Sequence, residues 1–388
     1  MQAPTHSELQ FIDTADALLS FCQSIENSDY LAIDTEFVRD KTYYPQLCLI
    51  QIASHNAIAC IDPLAIEDLS PVLAILSNPR ILKVFHAARQ DLEVLYVVFN
   101  DIPEPVFDTQ LAATLLGLGE QIGYANLVKH YLNRQLGKQH ARADWERRPL
   151  DKAQIEYAAD DVRYLIQIYP MITRQLAELG RLEWLEDDLQ ALTNVDLYRP
   201  TGADLWSRIS GNQKLRRKQL AVLRELSQWR EQLAQKLDKP RKWVIQDNLL
   251  VAISSQCPPN VEKLKSVRGL NENFINRHGE DVIQCIKRAL ALPESQWPVL
   301  EKRRQLDKDQ EALVDSLLAI VKLKAAQHRL NVSAITNRAQ LEKLVLNERQ
   351  IDLLQGWRRE LVGNSLLAFL NGENALICQE GKLDLTED

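Results

Sequence analysis

Residues 30–54 read YLAIDTEFVRDKTYYPQLCLIQIAS, and this stretch decides the fold. Most of it is Leu, Ile, Ala and aromatic residues, the material of buried strands. Asp34 and Glu36 nevertheless stand inside the first apolar run, two residues apart. Side chains alternate across a strand, so both carboxylates project from one face. Two anions so placed repel each other and lose hydration. A hard cation relieves both costs, because magnesium takes oxygen ligands and favours carboxylates. A solvent-exposed sheet end would tolerate the pair as well, so by itself it leaves both readings open.

Working outward, residues 30–37, 47–53 and 57–61 are expected strands, joined through TYYP and SHN as an antiparallel meander. Helices are expected near 66–77, 92–99, 110–118 and 125–132, with short strands at 81–85 and 106–108 between them. After a loop at 137–149, one long helix is expected from about Asp151 past Tyr169. Three strands followed by alternating helices and strands indicate an α/β domain with a mixed sheet. VDLYRPTGADL, from Val195, reads as linker. From Lys214 onward the periodicity is helical and no strand is expected. Residues 232–253 can be laid over 323–344, and 276–290 roughly over 358–370, so two helical modules are expected. The domain reading is 1–195, 212–292 and 305–376.

The chain has 388 residues, 46% hydrophobic and 26% charged, ordinary proportions for a globular protein of two or three domains. Its first residues carry no basic segment followed by an apolar core, so no secretory signal is expected. No apolar run approaches the roughly 20 residues of a membrane span. The six cysteines, Cys22, Cys48, Cys60, Cys257, Cys285 and Cys378, form no CxxC pair, and most lie among apolar neighbours. Small buried hydrophobes in a reducing cytoplasm are expected. The net charge of −7 hides an asymmetry: residues 1–190 hold 15 Lys+Arg against 28 Asp+Glu, and residues 191–388 hold 31 against 25. An acidic half suits divalent metal and a basic half suits a polyanion.

Two further stretches bear on the carboxylate pair. ILKVFHAARQDLEVLYVVF, from Ile81, reads as strand, turn and helix, with Asp91 in the first helical turn. EYAADDVRYLIQIY, from Glu156, is helical, and Tyr157 and Asp161, four apart, share a face. Taken singly, a first-turn Asp is a helix-dipole acid and a Tyr/Asp pair is a surface feature. The order is more specific: DxE on a strand, Asp after a later strand, then YxxxD on a late helix. It resembles the DEDD 3′→5′ exonuclease superfamily in its Tyr-containing (DEDDy) branch, on Asp34-Thr35-Glu36-Phe37, HAARQDLEVL and Tyr157 to Asp161. The likeness extends through RDKTYYPQLCLIQIA, FDTQLAA and KQHARADWERRPL. Within the superfamily it is closest to the ribonuclease D family, whose paired HRDC domains the C-terminal repeats resemble.

The resemblance implies a ribonuclease H-like catalytic domain followed by two all-α HRDC-like domains. It implies two divalent ions per site, Mg²⁺ first and Mn²⁺ as the substitute, held by Asp34, Glu36, Asp91 and Asp161. Asp34 would bridge, Asp91 would support the second ion through water, and Tyr157 would hydrogen-bond the attacking water. A hydroxyl with a pKa of about 10 is a poor base at neutral pH, so Tyr157 is assigned orientation. Asp160 points about 100° away from Asp161 on a helix and is not expected to bind metal. Asp108 is read as a helix cap and His86 as structural.

Arg39, Tyr43 and Tyr44, in the connection after the first strand, are candidate substrate contacts through phosphate pairing or base stacking, as are Lys138 and Trp145 in the loop before the third motif. Asp144 and Arg148 share that loop. The family usually carries Ser or Thr before its DW pair, and Ala143 departs from this. Residues 214–242 hold ten Lys/Arg against three acids, and Arg216, Arg217, Lys218, Lys239, Arg241 and Lys242 are the candidate nucleic-acid face. The expected function is that of a cytoplasmic, monomeric 3′→5′ exoribonuclease releasing nucleoside 5′-monophosphates, with tRNA precursors bearing 3′ extensions and other structured RNAs as substrates. A 3′→5′ DNA exonuclease and a catalytically silent RNA-binding scaffold are the alternatives; the complete acid set argues against the scaffold.

Overall fold

The computed structural model describes residues 8–137, 143–199, 205–300 and 305–386. By contact the chain divides into two units. Met1–Glu36, Leu47–Asn194 and Arg304–Asp388 form one; Phe37–Gln46 and Val195–Arg303 form the other.

The first unit opens with β1 (Leu9–Ile12) and α1 (Ala15–Ile25), followed by β2 (Tyr30–Val38), β3 (Gln46–Ala53) and β4 (Ile58–Ile61). Then come α2 (Ser70–Leu76), β5 (Leu82–Phe85), α3 (Arg89–Phe99), β6 (Val106–Asp108), α4 (Thr109–Leu115) and α5 (Tyr124–Leu132). α6 (Lys152–Arg163), α7 (Leu165–Glu178) and α8 (Glu186–Thr193) complete this part. The strands lie in the order β1-β4-β3-β2-β5-β6. β1 runs parallel to β4, β4 antiparallel to β3, β2 parallel to β5, and β5 parallel to β6. The sheet is therefore mixed, as expected. Its middle is an apolar layer: Leu31, Ala32 and Ile33 of β2 and Cys48, Leu49 and Ile50 of β3 are fully buried. Strands buried this completely lose the polar alternation of a one-faced sheet.

Several details differ from the sequence reading. β1 precedes the meander and pairs at the sheet edge, so the three-strand start was incomplete; LQFI is too short to show a period. α2 begins only at Ser70, because Pro71 is accommodated in a first helical turn, where its missing N–H costs nothing. The single long helix expected from Asp151 is two, α6 and α7, parting at Tyr164. α6 is started by a capping box: the Asp151 carboxylate accepts from Gln154 N (2.9 Å), and the Gln154 side chain accepts from Asp151 N (3.0 Å).

The second unit is helical: α9 (Arg217–Lys236), α10 (Arg241–Val244), α11 (Asp247–Gln256), α12 (Val261–Leu264) and α13 (Glu272–Ala291). Leu220, Leu223 and Leu226 of α9 pack with Ile253, Leu264, Ile283 and Ile286 in its core. The three-residue spacing of the α9 leucines puts their side chains along one face of the helix. Residues 37–46 belong to this unit although they connect two strands of the sheet.

The chain then rejoins the first unit with α14 (Lys308–Gln327), α15 (Val332–Ile335), α16 (Arg338–Val345), α17 (Gly356–Arg358) and α18 (Asn364–Leu370). Arg359–Gly363 form a π-helical turn between the last two. α14 to α16 repeat the long–short–medium succession of α9 to α11. This module packs on the α/β part of its own unit through two tryptophans: Trp184 and Trp357 stack with ring centroids 4.5 Å apart and planes 1° from parallel. Arg181 lies over Trp184 and Arg358 over Trp357, at 5.3 and 4.4 Å. Arg358 also pairs with Asp188 at 3.1 Å. Gly117, at φ +77°, approaches the Arg329 carbonyl so closely that a Cβ there would sit 2.1 Å from its oxygen. The chain ends in a hairpin, β7 (Leu376–Gln379) and β8 (Lys382–Leu385), where no strand was expected. Its turn is Glu380-Gly381, both at positive φ, and Glu is an unusual residue to announce such a turn. Among the described residues, no helix is long and apolar enough to cross a membrane.

Candidate active site

Asp34 and Glu36 stand on β2, and α6 brings Asp161 to them. One carboxylate oxygen from each lies within 4.8 Å of the other two. Oxygen ligands of one Mg²⁺ or Ca²⁺, at ~2.0–2.6 Å from the ion, are up to roughly 4–5 Å apart, so the three acids fit a shared divalent cation.

The electrostatics agree. Burial first, and then the neighbouring Asp161, raise the Asp34 carboxyl well above the usual carboxylate range. Burial, then Asp34, Asp161 and Asp91, push Glu36 up to about 9. Asp161 is raised by burial, Asp160 and Asp91. Without a cation this cluster retains protons, because its members cannot all be charged together.

Asp91 sits beside the trio rather than in it. One of its oxygens accepts from Thr35 Oγ1 at 2.6 Å and from Thr35 N at 3.2 Å. Thr35 lies between the two strand carboxylates in sequence, and both it and Asp91 are buried. Burial and Asp34 raise Asp91 well above the usual range. Asp91 reaches this position through the turn before α3, where Ala87 adopts φ 61°, rare for a residue with a Cβ. The Asp108 carboxylate holds that turn, accepting from Ala87 N (3.1 Å) and Ala88 N (2.9 Å) while capping α4 through Gln110 N (2.7 Å). Asp108 is thus the cap the sequence suggested and, beyond that, the anchor of the Asp91 turn.

Tyr157 lies one helical turn before Asp161, its ring stacked at 29° on Trp145 with centroids 6.4 Å apart. Burial, then Asp161, Glu36 and Asp34, push its hydroxyl up to about 12. Asp160 faces away and pairs with Arg163, which also holds Glu156 at 2.9 Å. His86 has both ring nitrogens engaged at 3.0 Å, one with Thr109 Oγ1 and one with the Ile122 carbonyl. Arg148 clamps the loop before α6, giving Asp62 two bonds of 2.6 and 2.7 Å and reaching the Cys48 and Trp145 carbonyls at 2.7 Å.

Sequence reasoning passed over Thr35 and Tyr124. Tyr124 opens α5 and donates to the Asp160 carbonyl at 2.8 Å, bracing the turn that presents Asp161. No local pattern marks either residue, since their partners lie on distant elements.

The substrate candidates separate. Tyr44 and Arg39 are exposed. Tyr43 is buried, its hydroxyl donating to Glu231 and accepting from Gln235 Nε2 (3.1 Å) and Arg241 Nη2 (3.2 Å), so it presents no face to a base. Trp145 is 4% exposed and packs on Tyr157, which corrects its reading as a substrate platform. Lys138 lies outside the described residues. Of the basic candidates, Arg216, Arg217, Lys218, Lys239 and Lys242 are exposed, whereas Arg241 is committed to Glu231 and is not a free phosphate ligand.

A mixed sheet carrying clustered carboxylates, with a tyrosine one turn before the last, defines a metal-dependent 3′→5′ exonuclease. A 3′–5′ exonuclease family model matches residues 9–177, and an HRDC domain model matches residues 219–286. The chain is 37% identical to the ribonuclease D of Granulibacter bethesdensis over 94% of this chain and 93% of that one. Against the ribonuclease D of Sphingobium indicum it is 37% identical over 97% and 98%. The crystal structure of Escherichia coli RNase D, described as an exoribonuclease involved in structured RNA processing, superposes with a TM-score of 0.83 at 32% identity, covering 94% of this chain and 99% of that one. The chain belongs to the ribonuclease D family.

Proposed function

We propose that in this 3′→5′ exoribonuclease Asp34, Glu36 and Asp161 hold one divalent ion, and that Asp91 supports a second through water. The observation that carries this reading is the convergence of three carboxylates from β2 and α6 within 4.8 Å of one another. RNA is the substrate class, in keeping with the family. Divalent ions bound here, Mg²⁺ with Mn²⁺ as the substitute, would lower the pKa of a water and offset charge at the phosphate. The chain's own residues supply the frame. β2 fixes the spacing of Asp34 and Glu36, Thr35 orients Asp91, and Tyr157 orients the attacking water. With its hydroxyl pushed up to about 12, Tyr157 keeps its proton at neutral pH and acts as a donor.

The finer reading places the chain in the DEDDy branch, with its catalytic domain at 1–195 and HRDC-like domains at 212–292 and 305–376. The matching long–short–medium helix succession in the two modules supports the second HRDC assignment. Arg216, Arg217, Lys218, Lys239 and Lys242 form the exposed basic face for the RNA backbone, with the exposed Arg39 and Tyr44 as further substrate contacts. Precursor tRNAs with 3′ extensions are the proposed substrates of a cytoplasmic monomer.

The test uses 3′-overhang RNA and DNA of one sequence, with Mg²⁺ or with EDTA, alongside Asp34→Asn. The expected result is nucleoside 5′-monophosphates from RNA only, abolished by EDTA and by the substitution. Equal release from DNA overturns the RNA assignment. Undiminished release by Asp34→Asn overturns the metal site.

A further inference from the structure

The connection that follows Glu36 is built into the helical unit by an unusually dense set of bonds. Asp238 stands just past the end of α9 at φ 45°, in the left-handed region, and its carboxylate accepts from Tyr43 N (3.0 Å) and Tyr44 N (3.1 Å). A single oxygen thus takes two consecutive amides of the connection. The Tyr43 hydroxyl donates to Glu231, which is 2% exposed on α9, and Arg241 neutralises Glu231 by Nη2 at 2.6 Å and by Nε. Arg241 closes the set by lying 5.1 Å from the centre of the Tyr43 ring. Burial, together with the Glu231 bond, pushes the Tyr43 hydroxyl up to about 12, so it stays a donor. The buried Glu231 carboxylate is thus met by a hydroxyl and a guanidinium, the partners a buried charge needs, while Asp238 holds the connection through its backbone amides.

Phe37, the first residue of this segment, is bonded directly to Glu36 inside one continuous strand. A strand is stiff along its length, so the end of β2 transmits to Glu36 the position imposed beyond it. Metal ligands need their geometry held to about 0.5 Å. We propose that Tyr43, Glu231, Asp238 and Arg241 are positioning residues that set the exit of β2. The helical unit thereby acts on hydrolysis itself, independently of any grip on the RNA backbone. The inference rests on Glu36 being a metal ligand, as proposed above.

The test uses the full chain carrying Asp238→Gly, which keeps the left-handed backbone and removes the carboxylate, and Tyr43→Phe, which removes only the hydroxyl. Three readings are taken: kcat and KM on a trinucleotide RNA, kcat and KM on a long RNA, and the Mn²⁺ dissociation constant by EPR titration. Asp238→Asn, which restores an oxygen acceptor, is the rescue. The expected result is a fall in kcat of roughly tenfold or more on both RNAs, weaker Mn²⁺ binding, and recovery in Asp238→Asn. An unchanged trinucleotide kcat with unchanged Mn²⁺ binding overturns the proposal, whether only the melting temperature falls or only KM for long RNA rises. Should the unsubstituted chain release nothing from RNA, the activity reading fails, and the Mn²⁺ titration still decides the positioning claim. Absence of Mn²⁺ binding in the unsubstituted chain overturns both.

Discussion

Thr35 gives both its hydroxyl and its backbone N–H to one oxygen of Asp91, at 2.6 and 3.2 Å. The residue between the two strand carboxylates thus holds the third acid in place. Thr35→Val removes the hydroxyl donor and keeps the shape. A bond to a charged group contributes ~1.5–3 kcal/mol. The variant should fold and lose activity by roughly tenfold to a hundredfold, the rate equivalent of that energy. Thr35→Ser should retain most of it. Steady-state rates with a thermal melt for each variant check this; equal activity in Thr35→Val would mean that the amide alone suffices.

Asp34→Asn should separate stability from function. The substitution removes one of several mutually repelling carboxyls in a half-buried cluster, so the metal-free chain should melt at a higher temperature than the unsubstituted one. It should also lose the upward melting shift that Mg²⁺ gives by binding the folded state alone. Differential scanning calorimetry with and without Mg²⁺ reads both effects.

Metal-free stability should fall with rising pH. Glu36 is pushed up to about 9 in the folded chain, mainly by burial and then by Asp34, Asp161 and Asp91. An unfolded glutamate titrates at about 4.3. Between those values the folded state holds a proton that the unfolded state has released. The contribution is full below the unfolded value and is lost as pH climbs through the folded one, by ~1.4 kcal/mol per pH unit per proton. Asp34, Asp91 and Asp161 are raised too and act in the same direction. Urea midpoints over this range, in EDTA, should decline with pH, and Glu36→Gln should flatten the slope.

Trp357 is buried and stacked on Trp184. Trp357→Ala should cost ~3–5 kcal/mol of stability, the usual loss for a large core aromatic. Chemical denaturation checks the value. A loss below about 1 kcal/mol would show that the stack is incidental.

Much of the sheet was legible in residues 30–54, because a period of two is a local property, whereas the meeting of Asp161 with Asp34 and Glu36 was implied only by the family resemblance, since no local spacing joins a late helix to an early strand. Asp108 shows where legibility thins. Its role as a cap follows from its neighbours, but its hold on Ala87 depends on β5 and β6 lying side by side. Tyr43 and Trp145 were misread for a related reason: an aromatic in a loop between charged residues looks available to a base. Their partners, Glu231 and Tyr157, are set by the tertiary fold. β1 and the final hairpin were too short for periodicity to register.

The partition of the chain has a consequence for anyone who would take the protein apart. The boundaries 36/37, 46/47, 194/195 and 303/304 mean that the backbone passes between the two units four times. A protease that nicks one of these junctions leaves the two units still linked through the other crossings. Trimming within residues 1–36 or 304–388 removes parts of the first unit only. A fragment ending near residue 195 would keep the carboxylates but leave a β2–β3 connection that has lost the helices that hold it. The helical unit is an insertion stitched into the nuclease, and the sensible unit of expression is the whole polypeptide.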